Sequence, residues 1–175
     1  GSGKTTIAEF AVFLARRERD ARIIYTAPIK ALSNQKFHEL CAQYGEDEVG
    51  LLTGDVNVRG DAPIVVMTTE VLRNMIYAEG VETLPAGEQA GARAGRLADL
   101  DFVVLDEVHY LGDKFRGAVW EEIILHLPRH VRLVGLSATV SNAEEFGDWM
   151  HAVRGGTDVI LSEHRPVPLY QHVLT

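Results

Sequence analysis

The sequence lacks most of the features that mark secreted and membrane-bound proteins. Its 175 residues include a single cysteine, Cys41, so no internal disulfide framework can form, and a reducing, cytoplasmic location is expected. No apolar run approaches the roughly 20 residues that span a bilayer, and no signal peptide is recognisable. These absences favour an ordinary globular domain, which the hydrophobic fraction of 46% also indicates.

An excess of basic residues is also missing. The chain has 17 Lys and Arg against 25 Asp and Glu, which gives a net charge of −8. Nucleic-acid-binding domains are more often basic. However, helix N-termini and backbone N–H groups hold phosphates without adding to the basic count. The charge therefore leaves nucleic-acid binding open.

Apolar β-branched runs alternate with segments of helical spacing. The predicted strands are Arg22–Ala27, Ile64–Thr68, Asp101–Leu105, Val131–Leu136 and Asp158–Leu161. The predicted helices are Thr5–Arg17, Ile29–Tyr44, Glu70–Tyr77, Ala118–His126 and Asn142–Val153. Such alternation predicts crossover units and a parallel α/β sheet with helices on both faces. The Ala- and Gly-rich stretch Glu79–Ala98 lacks this periodicity and is interpreted as a surface insertion.

A phosphate-loop motif opens the chain. Gly1-Ser2-Gly3-Lys4-Thr5-Thr6 matches the second half of the G-x-x-x-x-G-K-[ST] pattern and runs into a predicted helix. Glycines let the backbone close around a phosphate, a lysine reaches the β- and γ-phosphates, and the following hydroxyl binds Mg²⁺. The alternative is a Gly-Ser linker before an ordinary helix. Because the chain begins inside this motif and not on Met, we expect it to be a piece of a longer protein.

Two adjacent carboxylates follow the predicted strand 101–105. Asp106 and Glu107 stand at the mouth of a buried strand, where charge is costly unless it serves a cation or a hydrogen-bond network. Strand alternation gives the neighbours different surroundings. We therefore expect Asp106 to hold Mg²⁺ and Glu107 to orient and deprotonate the attacking water. A solvated acidic turn is the alternative, which the phosphate loop in the same chain disfavours.

A histidine and a Ser-Ala-Thr tripeptide follow neighbouring strands. His109 comes just after the carboxylates, and Ser137, Ala138 and Thr139 follow strand 131–136. Ends of adjacent parallel strands meet at one edge of the sheet, where ligands bind. These residues are interpreted as a relay between the nucleotide and that edge, although a lone histidine is more often a packing residue.

Six motifs follow one another along the chain: GSGKTT from Gly1, TAPIKALSNQK from Thr26, LLTGD from Leu51, TTEVLRNM from Thr68, LDEVHYLGD from Leu105 and LSAT from Leu136. In this order they resemble the motifs of superfamily-two DExH-box helicases of the superkiller and antiviral-helicase branch, most closely the bacterial HelY type. This resemblance covers nearly the whole chain.

The resemblance implies the first of two RecA-like P-loop NTPase domains, occupying residues 1–175. It also implies ATP and Mg²⁺ as cofactors, a second RecA-like domain of the same polypeptide, and a single strand of RNA or DNA gripped by its backbone. Residues expected along that strand are Pro28, Lys30, Thr53, Gly54, Asp55, Thr69 and Arg73. We expect a monomer with no membrane contact. A duplex-DNA translocase with the same engine, and a non-catalytic ATP-binding scaffold, remain alternatives.

Overall fold

Six strands form one central sheet in the part of the chain that the structure describes. A computed structural model describes residues 3–18, 21–81, 97–108, 117–137 and 143–161. The strands are β1 (Arg22–Ala27), β2 (Val49–Leu52), β3 (Asn57–Val58), β4 (Ile64–Thr68), β5 (Leu100–Leu105) and β6 (Arg132–Gly135). Their order across the sheet is β3-β2-β4-β1-β5-β6, and every pairing is parallel except that of β2 with β3.

Helices cover both faces of this sheet. They are α1 (Lys4–Glu18), α2 (Lys30–Tyr44), α3 (Thr69–Val81), α4 (Gly117–His126) and α5 (Ala143–Arg154). Helices α1 and α2 share one hydrophobic cluster with alternate residues of the strands, including Tyr25 and Val104. Helices α3, α4 and α5 pack on the other face, where Trp120 is the largest fully buried side chain. Because β5 is covered on both sides, its residues from Phe102 to Leu105 are all apolar and buried, without alternation.

The fold class and most elements expected from the sequence are confirmed. All five predicted helices are present, with ends that differ by at most one residue except in α3, which continues to Val81. Four of the five predicted strands are present, and two of them, β1 and β4, have the predicted limits.

The sequence-based description missed one part of the sheet, and the two ends of the expected insertion 79–98 belong to the folded domain. Strands β2 and β3 were not predicted, although they contribute a parallel neighbour to β4 and an antiparallel edge. The supposed surface insertion 79–98 begins inside α3, and its Leu97 is buried in the core. Residues 82–96 lie outside the described residues, so the interpretation of this segment as a surface insertion stays a prediction.

The predicted strand Asp158–Leu161 is wrong. These residues do not belong to the sheet, and Ile160 is 90% exposed. Val159 instead lies so close to Gly147 of α5 that a side chain at Gly147 would collide with it. The segment follows the helix, where it gains no ladder hydrogen bonds. Its β-branched composition alone therefore did not make a strand.

Arg154 joins the end of α5 to the turn between α4 and β6. Its guanidinium donates to the carbonyl oxygens of Leu127, Pro128 (3.0 Å) and Val131 (2.8 Å). Burial lowers the pKa of Arg154, but the three carbonyls compensate the half-buried charge.

No helix among the described residues is long and apolar enough to cross a membrane.

We predict that Arg154→Ala lowers the free energy of unfolding by roughly 2 kcal/mol, since charged hydrogen bonds are lost and buried carbonyls lose their donor. Chemical denaturation of the chain measures the change. The exposed neighbour of the same turn, Arg129, provides the matched control Arg129→Ala, expected to be close to neutral. Equal effects of both substitutions would contradict this role of Arg154.

Candidate nucleotide and nucleic-acid site

The described part of the phosphate loop turns sharply into α1. Gly3 has a φ of +77°, a left-handed conformation that glycine adopts without strain. Helix α1 then begins at Lys4, and the N–H of Thr6 donates to the carbonyl of Gly3 at 3.0 Å. Thr5 and Thr6 are exposed at this helix N-terminus. Such an end presents N–H groups and positive potential to an anion. Gly1 and Ser2 lie outside the described residues.

The carboxylate pair directly follows β5. The backbone N–H of Asp106 donates to the carbonyl of Thr26 at 3.0 Å, which extends the pairing of β5 with β1 by one residue. Glu107 then turns the chain with a φ of +57°. A non-glycine residue in this region costs on the order of 1–3 kcal/mol, and such strain concentrates at functional sites.

The phosphate loop and the carboxylates meet at the carboxyl edge of the sheet. Nζ of Lys4 lies 3.9 Å from Oε2 of Glu107, and the two side chains are 29% and 28% exposed. The predicted lysine and the predicted water-activating carboxylate thus face each other, partly screened from solvent. A ligand in this position would contact both groups.

Tyr25 was not identified from the sequence, yet it contacts the site directly. Its hydroxyl donates to Oδ2 of Asp106 at 2.6 Å, and the residue is 2% exposed. Burial raises the pKa of Tyr25 well above its usual range, and the hydrogen bond to Asp106 raises it further, so the phenol keeps its proton. Its only sequence signal is a hydroxyl-bearing aromatic residue inside an apolar strand.

The available donors suit Mg²⁺ better than a metal held by the protein alone. Among the described residues, no group of three or more His, Cys, Asp or Glu side chains could hold a metal ion. Mg²⁺ commonly takes one or two protein oxygens and completes its shell with phosphates and water. The exposed hydroxyl of Thr5 and the carboxylate of Asp106 fit such a partial set.

The ends of β5 and β6 are joined by backbone hydrogen bonds. Leu136 donates to the carbonyl of Leu105 at 2.9 Å, and Val108 donates to the carbonyl of Leu136 at 2.8 Å. Ser137 follows at once, and its buried hydroxyl has no hydrogen-bond partner within the described ranges. This part of the predicted relay therefore stands beside the carboxylate turn. His109, Ala138 and Thr139 lie outside the described residues.

Lys30 and Asp55 form an ion pair that joins two of the segments expected to contact the nucleic-acid strand. Lys30 begins α2, and its Nζ lies 2.5 Å from Oδ2 of Asp55 in the turn after β2. Thr53 donates its hydroxyl to Oδ1 of Asp55 at 3.0 Å, and Gly54 between them is exposed. Hydrogen bonds from Lys30 and then Thr53 lower the pKa of Asp55. Asp55 is thus the ionic partner of Lys30 and a hydrogen-bond partner of Thr53.

Thr69 and Arg73 make contacts within the domain. Thr69 is 4% exposed at the start of α3 and donates its hydroxyl to the carbonyl of Ala27 at 3.2 Å. Nε of Arg73 lies 3.7 Å from Oε2 of Glu122 on α4. Pro28 is half-buried. Their backbone positions lie at the carboxyl edge, but the side chains of Thr69 and Arg73 serve the fold.

Comparison with known proteins identifies the family of this chain. Residues 1–146 match the family model described as DEAD/DEAH box helicase. The chain belongs to the DEAD/DEAH box helicase family. Helicases of this family resemble it over nearly its full length, as the following examples show.

The chain is 59% identical over 174 residues to the probable helicase HelY of Mycobacterium tuberculosis, covering 99% of this chain and 18% of the relative. It is 43% identical over 169 residues to the antiviral helicase SKI2 of Saccharomyces cerevisiae, covering 96% of this chain and 12% of the relative. It is 45% identical over 174 residues to the ATP-dependent RNA helicase mtr4 of Schizosaccharomyces pombe, covering 99% and 14%. The chain therefore spans less than a fifth of each of these relatives.

A solved structure shows the same fold. The crystal structure of the helicase MrfA bound to DNA aligns with a TM-score of 0.64 at 22% identity, over 89% of this chain and 23% of that one. At this identity the likeness concerns the fold, and it agrees with an α/β, RecA-like helicase domain.

Proposed function

We propose that this chain is the first RecA-like domain of a helicase that couples magnesium-dependent ATP hydrolysis to movement along, and unwinding of, nucleic acid. The observation that carries the proposal is the 3.9 Å approach of Lys4 to Glu107. A glycine turn at a helix N-terminus and a paired carboxylate at a strand end are far apart in sequence, yet they form one site. A cytoplasmic location belongs to the same proposal.

The Lys4–Glu107 pair suggests how nucleotide binding prepares the carboxylate. The ammonium group of Lys4 lies 3.9 Å from Oε2 of Glu107. The β- and γ-phosphates carry more negative charge and attract the ammonium group more strongly. Lys4 then turns to the phosphates, and Glu107 becomes available to accept a proton from the attacking water.

Thr5 and Asp106 would hold Mg²⁺ beside this pair, and the ion would neutralise charge that develops on the phosphates. The hydrogen bonds between the ends of β5 and β6 bring Ser137 next to the turn that carries Asp106 and Glu107. This supports a role for Ser137, Ala138, Thr139 and His109 in passing the state of the nucleotide to the rest of the protein.

The nucleic-acid path is proposed along the junctions after β1, β2 and β4. The N-cap residue of α2, Ile29, makes no side-chain hydrogen bond to the first turn, so it leaves the N–H groups of that turn to other acceptors such as phosphates. The exposed Gly54 offers further backbone without a side chain in the way. Thr69 and Arg73 would contribute through the backbone of α3. Their side chains hold the start of this helix in place, because Thr69 bonds to Ala27 of β1 and Arg73 lies beside Glu122 of α4. Backbone gripping of this kind is independent of sequence, as a translocating protein requires.

We predict that Lys4→Ala and Glu107→Gln each reduce ATP hydrolysis by the full-length protein at least about a hundredfold. Lys4→Ala also weakens nucleotide binding because a phosphate contact is lost, whereas Glu107→Gln keeps it. Phosphate release with and without single-stranded RNA and DNA measures turnover. The exposed Glu121 of α4 gives the matched control Glu121→Gln, expected to behave as wild type. Normal turnover in either site variant would refute the proposed roles.

We predict that the 175-residue chain alone hydrolyses ATP at only a trace rate and does not unwind a duplex. Arginines from a second domain contribute about 10³–10⁵ in rate in related phosphoryl-transfer systems. The measurement is phosphate release and displacement of a labelled strand from a tailed duplex. Vigorous strand separation by the isolated chain would contradict the two-domain proposal.

We predict that Asp55→Asn increases the affinity of the full-length protein for single-stranded oligonucleotides by about two- to fivefold at low salt. The substitution releases the ammonium group of Lys30 and removes a charge that repels phosphates. The slope of log affinity against log salt becomes steeper by about 0.7, because one more phosphate is neutralised. Fluorescence anisotropy over a salt series measures both quantities.

Asp61→Asn makes the same charge change at an exposed position near the opposite edge of the sheet and serves as the control. It should leave both the affinity and the salt slope close to wild type. Weaker binding by Asp55→Asn would show instead that the carboxylate is needed to shape the turn.

A further inference from the structure

We propose that Tyr25 is a positioning residue for Asp106, holding that carboxylate in the orientation in which it takes part in magnesium binding. The inference rests on the proposed function, because it assigns Asp106 to the metal site. It adds a residue from β1 to a site otherwise built from the phosphate loop and the turn after β5.

Strand register brings the two side chains together. Tyr25 of β1 lies opposite Val104 of the parallel strand β5. Side chains two residues apart share a face of a strand, so Asp106 projects on the same side as Val104, which is the side covered by α1 and α2. Tyr25 projects on this side too, and its hydroxyl reaches Oδ2 of Asp106 at 2.6 Å.

Both oxygens of Asp106 are thereby engaged. The backbone N–H of Glu107 donates to Oδ1 at 2.9 Å, while Tyr25 donates to Oδ2. The backbone of Asp106 is itself tied to Thr26 of β1 at 3.0 Å. A carboxylate held at both oxygens loses its rotational freedom before a metal arrives, and outer hydrogen bonds of this kind orient metal ligands in proteins.

The ring of Tyr25 is held as firmly as its hydroxyl. The residue is 2% exposed, and Nζ of Lys36 lies 5.6 Å from the centre of its ring. Lys36 is fixed in turn by Glu39, whose Oε2 is 2.5 Å away. Phenylalanine would fill the same volume and keep the contact with Lys36. The hydroxyl therefore has one distinct effect, which is the bond to Asp106.

Tyr25→Phe in the full-length protein tests this inference. With a non-hydrolysable ATP analogue bound, Mn²⁺ replaces Mg²⁺ as the probe, and electron paramagnetic resonance measures its dissociation constant. We expect that constant to rise about tenfold, as for other outer-shell partners of metal ligands. The Mg²⁺ concentration that gives half-maximal ATP hydrolysis should rise in parallel. Binding of the analogue in EDTA should stay unchanged, since no phosphate contact is lost.

Tyr44→Phe is the matched control. The hydroxyl of Tyr44, at the end of α2, is buried with no hydrogen-bond partner among the described residues, so its removal should leave both metal readouts unchanged. Thermal unfolding of both variants shows whether Tyr25→Phe remains folded at the assay temperature. A Mn²⁺ dissociation constant within twofold of wild type for Tyr25→Phe would overturn the inference.

Asp106→Asn separates this inference from the proposed function. If wild type binds Mn²⁺ with the analogue and Asp106→Asn does not, the metal site stands, and Tyr25→Phe alone decides the role of Tyr25. If wild type shows neither metal-dependent analogue binding nor hydrolysis, the proposed function fails and the role of Tyr25 with it. Equal weakening by Tyr25→Phe and Tyr44→Phe would also overturn the inference, because the effect would then be one of packing.

Discussion

The parallel pairing of β1 with β5 is the constraint on which the site depends. It ends both strands at the same edge and places Asp106 against the end of β1. The same pairing sets Tyr25 beside the Asp106 carboxylate, and the turn after β5 carries Glu107 to Lys4. If this register shifted by one residue, the side chain of Tyr25 would no longer lie on the same face of the sheet as that of Asp106. Accurate strand pairing is therefore a condition of the chemistry as well as of the fold.

The groups at this edge are charged, and the fold gives them definite partners. Lys4 faces Glu107, and Lys30 faces Asp55, each cation beside an acid that a phosphate would replace. Exchange of one anion for another costs less than drawing a solvated lysine out of water, because the side chain is already positioned. The negative net charge is thus compatible with a surface that receives phosphates.

Elements with strong periodicity were predictable, whereas features set by tertiary contacts were not. Strand β1 follows from its short apolar run, and helix α5 follows from the spacing that puts Phe146, Trp149 and Met150 on one face. Strand β2 is short and contains Gly50, whose missing side chain is required because the backbone of Arg59 passes against it. The phosphate loop and the carboxylates were recognisable as local motifs. The hydrogen bond from Tyr25 to Asp106 was not predictable. The two residues are 81 positions apart, and a single sequence does not give the register between the strands that bring them together.

Within the described residues, β6 is the outermost strand on its side of the sheet, and this affects how the protein behaves in concentrated solution. Its pairing with β5 uses one side of its backbone only, and its outer residues Arg132 and Gly135 are exposed. Unpaired N–H and C=O groups on such a border attract extended segments from other molecules. The uncovered Ile160 and Leu161 add apolar surface to the isolated chain. Concentrated preparations of this piece should consequently self-associate unless that flank is covered.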